Sequence, residues 1–252
     1  MSSNYPVPPL IPSHDPERSG GKARIYDRVG DALGYLRYRL FRSLLGPFGA
    51  WARRRRMLAF LRVTRMRAGA SVLDLGGSAR FWSYSFIPRL RITVLNLPGA
   101  SGTSPDDQTT RHSFTYIEGD ACNVAGMADG TFDFAFSNSV IEHVGGPEKR
   151  VQFAAEVKRL GRAYWVQTPS IWFPIEAHTG MPFWWFYPAS LRQYFIERWR
   201  KKLPEWAEAI EGTTVVRRRE LEALFPGSRV LVERVLGIPK SYTVFKIDPR
   251  GV

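Results

Sequence analysis

Polar residues follow several apolar runs of this sequence, at the points where β-strands would end. The first run closes with the letters DLGG at residues 74–77, and glycine tolerates the backbone angles that a tight turn requires. The next segment, Arg80 to Phe86, would then begin a helix whose free N–H groups face an anionic group. The other candidate strand ends are Asn96-Leu97-Pro98, Gly119-Asp120-Ala121 and Ser137-Asn138-Ser139, the last followed by Glu142 and His143.

Alternating strand and helix patterns would position these residues. The candidate strands are Ser71–Leu75, Arg91–Leu97, Phe114–Gly119, Phe132–Ser137, Arg162–Thr168, Arg229–Leu236 and Thr243–Ile247. The clearest helix is Pro147–Leu160, and another runs over Arg217–Phe225. This alternation predicts the α/β class, with a Rossmann-like, seven-stranded, mostly parallel sheet and helices on both faces. The short connection over Gly237–Tyr242 predicts an antiparallel C-terminal hairpin at one edge.

A basic extension precedes the predicted domain at 68–250. Residues 1–24 are polar and rich in Pro, Ser and Gly, which predicts a disordered tail and not a secretory signal. Apolar residues three or four apart predict a helix over 25–45, and a second basic helix follows over 48–67. Of the formal charge of +13, residues 1–67 carry +10, from fourteen Arg or Lys and four Asp or Glu.

Bulk composition excludes several classes of protein. No window approaches the ~20 apolar residues that a bilayer-spanning helix needs. Cys122 is the only cysteine, which excludes an internal disulfide and a cysteine-based zinc cluster and suits a reducing cytoplasm. We therefore expect a cytoplasmic protein, with peripheral contact to a membrane as an option that the basic helices leave open. The His, Asp and Glu spacings indicate no metal site.

An aromatic segment interrupts the alternation after the fifth strand. This segment covers residues 171–205, and its densest part, 171–199, contains many aromatic side chains and three prolines. Ligands of open α/β sheets bind outside the carboxyl ends of the strands, so this segment would lie beside the ligand. It is interpreted as a lid or substrate-binding insertion, or else as a hydrophobic insert that packs on the sheet or on the N-terminal helices.

These motifs together resemble the class I S-adenosylmethionine-dependent methyltransferases. The runs FDFAFSNSVIEHVGG and VQTPSIWFPIEAHTGMPF are long and specific, and they are similar to a bacterial, methyltransferase type 11-like subgroup often associated with polysaccharide and glycolipid biosynthesis. The resemblance covers roughly residues 70–247. A nicotinamide dehydrogenase is the nearest rival with this fold, but it would normally show three spaced glycines, and the third is missing here.

The resemblance implies a role for each strand-end residue in binding S-adenosylmethionine. Asp74 would orient its amino group, Asn96 its ribose hydroxyls and Asp120 its adenine amino group. An acidic residue is usual at the ribose position, and asparagine keeps one acceptor there. The full set implied for the cofactor is Asp74, Gly76, Gly77, Ser78, Asn96, Leu97, Asp120, Ala121, Ser137 and Asn138. Asp74 and Asp120 could instead be strand-end caps, and Asn138 a turn residue.

Methyl transfer to a hydroxyl would need a base, and three residues are candidates for catalysis. His143 follows the fourth strand end, Glu142 lies beside it, and His178 belongs to the aromatic segment. Each histidine could equally be a structural hydrogen-bonding residue. The candidate acceptor-binding residues are Trp172, Glu176, His178 and Trp184.

The sequence predicts the chemical class of the methyl acceptor and not its identity. The leading prediction is a sugar or glycolipid hydroxyl, or a related small molecule. A secondary metabolite, a nucleic acid and a non-catalytic, cofactor-binding scaffold are the alternatives. The basic helices over 25–67 could cap the cofactor pocket with their arginines in solvent, lie on an anionic membrane, or bind nucleic acid, which is the least favoured.

Overall fold

The computed structural model describes residues 48–84, 86–99, 111–176, 178–201 and 203–247 of the chain. The predicted tail over 1–24 and the predicted helix over 25–45 lie outside the described residues. The described chain begins within helix α1, which runs from residue 48 to residue 64 and agrees with the second predicted basic helix. No helix in these described ranges is long and apolar enough to cross a membrane.

Seven strands form one sheet in the order β3-β2-β1-β4-β5-β7-β6. Strands β1 to β5 pair in parallel, and β7 runs antiparallel to both of its neighbours. The predicted Rossmann-like sheet with an antiparallel C-terminal hairpin is therefore confirmed. The strands are β1 Ser71–Leu75, β2 Arg91–Asn96, β3 Ser113–Glu118, β4 Phe132–Asn138, β5 Gly161–Pro169, β6 Arg229–Val235 and β7 Ile238–Lys246.

The strand order reverses between β1 and β4. The chain places β2 and β3 on one side of β1 and then crosses back to place β4 on the other. Ligands of open α/β sheets bind outside the carboxyl ends of the strands at such a reversal, so Leu75 and Asn138 mark the expected crevice. The position of β7 between β5 and β6 departs from the 3-2-1-4-5-6 order of dinucleotide-binding sheets.

Helices cover both faces of the sheet. On one face, α2 (Pro147–Leu160) buries Phe153 and Val157, and α5 (Arg218–Leu224) buries Leu221 in the same core. On the other face, α1 buries Met57 and Phe60. The Phe60 ring packs edge-on against several aromatic rings of the sheet, which anchors α1 at its centre.

The C-terminal hairpin is tighter than its sequence indicates. Strand β7 begins at Ile238, five residues before the predicted start, so most of the predicted loop belongs to the strand. The turn consists of Leu236 and Gly237, with φ of +49° and +81°. A two-residue turn with two positive φ angles matches the twist of the paired strands, and this explains the short connection.

The helix predicted over Arg80–Phe86 is wrong. The structure has only a 3₁₀ turn, Ala79–Trp82, after β1. Trp82 is fully buried, and its indole turns back onto β1 to donate a hydrogen bond to Asp74. The chain then buries Ile87 and Leu90 without regular structure, because these side chains must reach the sheet. The described residues of this segment therefore form no α-helix whose dipole could face the crevice.

The aromatic segment forms a small subdomain after β5. It contains a 3₁₀ turn at Trp184–Phe186, helix α3 at Ala189–Arg200 and helix α4 at Pro204–Glu211. A separate core, centred on Trp184 and joined by Ile196 of α3 and Ala207 of α4, holds the segment together. Helix α4 shares this core, so the insertion continues beyond residue 205.

Candidate functional site

The turn after β1 depends on its two glycines. Gly76 has φ of +73°, and a Cβ atom there would lie 2.7 Å from a methyl group of Val140. A Cβ atom on Gly77 would overlap the carboxylate of Asp74. Glycine is thus required at both positions, because the segment after β4 and the Asp74 side chain fill the space that larger residues would need.

Asp74 lies beneath this turn and is almost completely buried. Its Oδ2 accepts a hydrogen bond of 2.7 Å from Nε1 of Trp82, whereas its Oδ1 has no partner among the described residues. Burial raises the pKa of Asp74 from 3.8 to about 7, and the Trp82 hydrogen bond opposes this shift only partly. A buried acceptor without a donor is costly, so a cationic ligand group reaching this oxygen would stabilise the site.

The end of β2 is tied to the same turn. Asn96 donates from Nδ2 to the carbonyl oxygen of Gly77 at 3.1 Å, and its own side-chain carbonyl remains the acceptor that a ribose hydroxyl would need. Leu97, the next residue, is 60 % exposed. Ser78 is half-buried, and its carbonyl oxygen accepts from the backbone of Phe81 to begin the 3₁₀ turn.

Asp120 makes a structural cap after β3. Its Oδ1 accepts from the backbone N–H of Cys122 at 2.8 Å, and its Oδ2 pairs with Lys149 at 3.1 Å. The Cys122 hydrogen bond and the Lys149 charge lower the pKa of Asp120. Both oxygens thus have donors, which favours the cap interpretation, although Asp120 and the adjacent Ala121 are only half-buried.

A residue that the sequence reasoning placed in solvent lies at the end of β4. Arg56 of α1 donates from Nη1 to Oδ1 of Asn138 at 2.6 Å and to Oε1 of Gln167 at 2.8 Å. Its Nε lies 3.3 Å from Glu233. The prediction that the extension's arginines are solvated is therefore wrong for Arg56, whose side chain is 10 % exposed.

Helical periodicity would have identified Arg56. Ala52, Phe60 and Thr64 are all buried, and Arg56 belongs to the same row of residues four apart. Residues four apart share one helix face, so this arginine had to face the sheet. Ser137, the neighbour of Asn138, is fully buried, and its hydroxyl has no partner among the described residues.

Four titratable side chains meet where the aromatic insertion touches the end of β4. Nε2 of His143 lies 3.0 Å from Nε2 of His178. Nδ1 of His178 lies 2.7 Å from Oε1 of Glu176, and Glu142 is buried beside them. The predicted catalytic residues His143, Glu142 and His178 are therefore brought together, although His178 is 35 positions from His143 in the chain.

Neighbouring groups fix the tautomers of both histidines. The Thr213 hydroxyl donates to the carbonyl oxygen of Ala209, so Nδ1 of His143, 3.2 Å away, must be the donor to this hydroxyl oxygen. Glu176 can only accept, so Nδ1 of His178 carries a hydrogen as well. In its neutral form, each imidazole therefore presents an unprotonated Nε2 to the other.

The pKa values in this cluster diverge. Burial and the charge of His178 lower the pKa of His143 to about 4, although part of this residue remains exposed. Burial opposes ionisation of His178, but the hydrogen bond and charge of Glu176 raise the His178 pKa above 6.5. Burial raises the pKa of Glu142 to about 7, with His178 opposing. A proton shared between the two imidazoles is therefore held more tightly by His178 than by His143.

The predicted acceptor-binding residues occupy different environments. Trp172 is 59 % exposed, and its ring lies 5.7 Å from that of Phe186, which is also exposed. Trp184 is instead buried in the core of the insertion, which fits a structural role better than contact with an acceptor. Glu176 is also buried, and its oxygens accept from His178 and from the backbone of Thr179, which leaves it holding His178 in place.

Comparisons with known proteins agree with this architecture. Residues 77–163 match the family model of a methyltransferase domain. Over 56 residues the chain is 38 % identical to an uncharacterized protein of Mycobacterium tuberculosis strain H37Rv, a stretch covering 22 % of this chain and 19 % of that protein. The chain thus matches well under two thirds of this relative's length, and the same holds for the strain CDC 1551 protein.

Solved structures match this chain at low sequence identity. A SAM-dependent methyltransferase from Aquifex aeolicus is 16 % identical, with 74 % of this chain and 86 % of that chain covered and a TM-score of 0.47. A structure described as a Zn-dependent alcohol dehydrogenase from Rhodobacter sphaeroides is 14 % identical, with 71 % and 84 % covered and a TM-score of 0.51. The second likeness shows the fold alone. The domain match supports a methyltransferase domain over residues 77–163.

The residues at the β1 turn fit S-adenosylmethionine, the cofactor that the sequence resemblance implies. The orphaned Oδ1 of Asp74 offers an acceptor for the cofactor's amino group, and the bare turn at Gly76 and Gly77 lets it approach the main chain. The strand registers place Asn96 beside Glu118 and Asn138 beside Gln167, so the predicted residues share one edge of the sheet.

Proposed function

We propose that this protein transfers a methyl group from S-adenosylmethionine to a hydroxyl of a sugar, a glycolipid or a related small acceptor. One observation carries the proposal: a hydrogen-bonded chain of Glu176, His178 and His143 stands at the end of β4, next to the strand reversal. Such a chain suits removal of a hydroxyl proton, a step that an acceptor with an already nucleophilic atom would not need.

The strand ends would hold the cofactor. Asp74 accepts from its amino group, the backbone at Gly77 lies against its methionine part, and Asn96 accepts from its ribose. Leu97 and Ala121 offer apolar surface for the adenine. Asp120 would accept from the adenine amino group only if that group replaced Lys149 as the partner of Oδ2. The bound cofactor supplies an activated sulfonium methyl, so the protein mainly has to position the acceptor and exclude water.

His143 is the proposed base. Its Nδ1–H is anchored on Thr213, which leaves Nε2 as the acceptor for a proton. His178, held by Glu176, lies against that nitrogen and can pass the proton along the chain. General-base assistance of this kind typically contributes 10²–10⁴-fold to a rate. Glu142, the third predicted catalytic residue, is buried next to the two histidines.

Exposed aromatic rings on the insertion would bind the acceptor. Trp172, Phe183 and Phe186 are each more than half exposed and lie on the segment that carries His178. Large exposed apolar side chains in one segment are typical of binding surfaces. They suit an acceptor with an apolar face, such as a sugar ring or the start of a lipid chain.

Helix α1 favours a lipid-linked acceptor over a nucleic acid. Trp51 and Leu58 are exposed on a helix that also carries exposed Arg54, Arg55 and Arg62. Aromatic and aliphatic side chains among arginines suit the interface of an anionic membrane, which would make the protein cytoplasmic and membrane-peripheral. Phe48 of the same helix stacks on Phe173, so α1 also contacts the insertion.

Labelling of cell extracts tests the proposed acceptor. The full-length protein is incubated with S-adenosylmethionine carrying a labelled methyl group and with separated lipid, glycan, small-metabolite and RNA fractions. We expect label in the lipid or glycan fraction, and loss of that label with His143→Gln. Label confined to RNA or to a secondary metabolite would show that the acceptor belongs to that class and is not a sugar or glycolipid. Cofactor binding without turnover in every fraction would favour the scaffold alternative.

A further inference from the structure

The two imidazoles of the His143–His178 pair direct their unprotonated Nε2 atoms at one another in their neutral forms. Because Thr213 and Glu176 occupy the Nδ1 atoms, both Nε2 lone pairs converge at a separation of 3.0 Å. Two lone pairs at this distance repel unless a cation lies between them, and that cation can be a proton or a metal ion. The geometry alone therefore defines a point of cation binding.

A third donor is directed to the same place. Glu142 is 2 % exposed, and one carboxylate oxygen accepts from the Thr168 hydroxyl at 3.1 Å, while the other, Oε1, is buried without a partner among the described residues. One oxygen of Glu142, one nitrogen of His143 and one nitrogen of His178 all lie within 4.8 Å of one another. A buried carboxylate oxygen without a donor costs free energy, which a bound cation would offset.

We propose that Glu142, His143 and His178 bind a divalent transition-metal ion, with Zn²⁺ as the closest chemical match. Two imidazoles and one carboxylate are ligands that zinc accepts, whereas Mg²⁺ and Ca²⁺ take oxygen ligands. Zinc–ligand distances of about 2.0–2.2 Å in a tetrahedral site require donors roughly 3.3 Å apart. The histidine nitrogens have to separate by a few tenths of an ångström, and Glu142 has to close in by at most about 1.5 Å.

The outer contacts of the three ligands match those of metal sites. Metal-binding histidines usually donate their second N–H to a carboxylate or another oxygen, which fixes the ring. Here Glu176 holds His178, and Thr213 holds His143. The backbone of Glu142 is fixed by Thr214, which donates to its carbonyl oxygen from both its N–H and its hydroxyl at 2.8 Å. The ligands are therefore oriented before any ion arrives.

The spacing of these residues predicts no metal, because the ligands converge only through the insertion. Three protein ligands leave an open position on a tetrahedral ion, as catalytic zinc sites do. An acceptor oxygen could bind there, in which case His143 would orient the ion and not act as the base. The metal site goes beyond the proposed methyl transfer and does not depend on it.

Metal titration of the full-length protein tests this assignment. The protein is stripped with a chelator and titrated with Zn²⁺ by calorimetry, and with Co²⁺ by visible absorption, which reports tetrahedral coordination. We expect one tight site in the wild type. His178→Gln and Glu142→Gln should each weaken it by about 100-fold or more, and Glu176→Gln, a positioning variant, by about 10–100-fold.

A matched control and a second readout keep the outcomes distinct. Glu148→Gln removes an exposed carboxylate of α2 and should leave Zn²⁺ affinity unchanged. Circular dichroism of the same samples reports whether each variant is folded, and S-adenosylmethionine binding is measured separately as the test of the proposed function. Tight Zn²⁺ binding without cofactor binding by the wild type would refute the proposed function and keep the metal site. Equal Zn²⁺ affinity in the wild type, His178→Gln and Glu142→Gln would overturn the site.

Discussion

Replacing Asp74 with asparagine should change how stability depends on pH. The buried carboxyl has a pKa of about 7, against 3.8 for an exposed aspartate. Because each pKa unit corresponds to about 1.4 kcal/mol, ionising Asp74 in the ligand-free fold costs up to about 4 kcal/mol. The folded protein retains this proton longer than the unfolded chain does. The cost is therefore absent below pH 4, grows between pH 4 and pH 7, and is complete above pH 7.

Asp74→Asn cannot ionise and keeps an oxygen for the Trp82 indole. Its amide nitrogen would lack an acceptor, a cost of about 1–3 kcal/mol that does not vary with pH. The variant should thus be less stable than the wild type at pH 4, and the difference should shrink as the pH rises and reverse by pH 8. Urea unfolding at intermediate pH values without cofactor measures this, with exposed Asp129→Asn as the control. A wild-type-to-variant difference that is constant from pH 4 to 8 would refute the buried-carboxyl reasoning.

Three further substitutions probe the neighbouring contacts. Arg56→Met removes the positive charge beside buried Glu233 and a donor from both Asn138 and Gln167, so urea unfolding should show a loss of about 3–5 kcal/mol. Exposed Arg62→Met should stay within about 0.5 kcal/mol of the wild type. Trp172→Ala should raise KM for the acceptor in steady-state assays. The thermal midpoint should stay nearly unchanged, because the ring is exposed. An unchanged KM would exclude Trp172 from the acceptor site. His143→Gln should lower kcat by about 10²–10⁴-fold while calorimetric affinity for the cofactor holds, and a normal kcat would remove it from the mechanism.

Strand ends were predictable because local signals coincide there. An apolar run, an acidic residue and two glycines fix the end of β1 at Leu75, and the polar residues Ser137-Asn138-Ser139 mark the end of β4. Helix α2 was predicted at its observed bounds, since Pro147 begins it and β5 starts directly at Gly161. A Cβ atom at Gly161 would lie 2.6 Å from Ala135, so packing as well as helix termination requires this glycine.

The contacts that complete the site depend on tertiary structure. No local pattern shows that Trp82 turns back onto Asp74, and this contact replaces the expected helix with a 3₁₀ turn. The pairing of His143 with His178 needs the insertion to fold back across the end of β4. Arg56 is the exception, because its place on the buried row of α1 was readable from helical periodicity.

Calorimetry with S-adenosylmethionine tests most directly whether the strand reversal forms a cofactor crevice. We expect the wild type to bind one equivalent, and Gly77→Ala to lose at least about 10-fold in affinity, because the added methyl group displaces the Asp74 carboxylate. Gly146→Ala is the matched control, since a Cβ atom there has nothing within 4 Å and φ is −70°. No binding by a folded wild type, or equal binding by Gly77→Ala and Gly146→Ala, would contradict this account of the site.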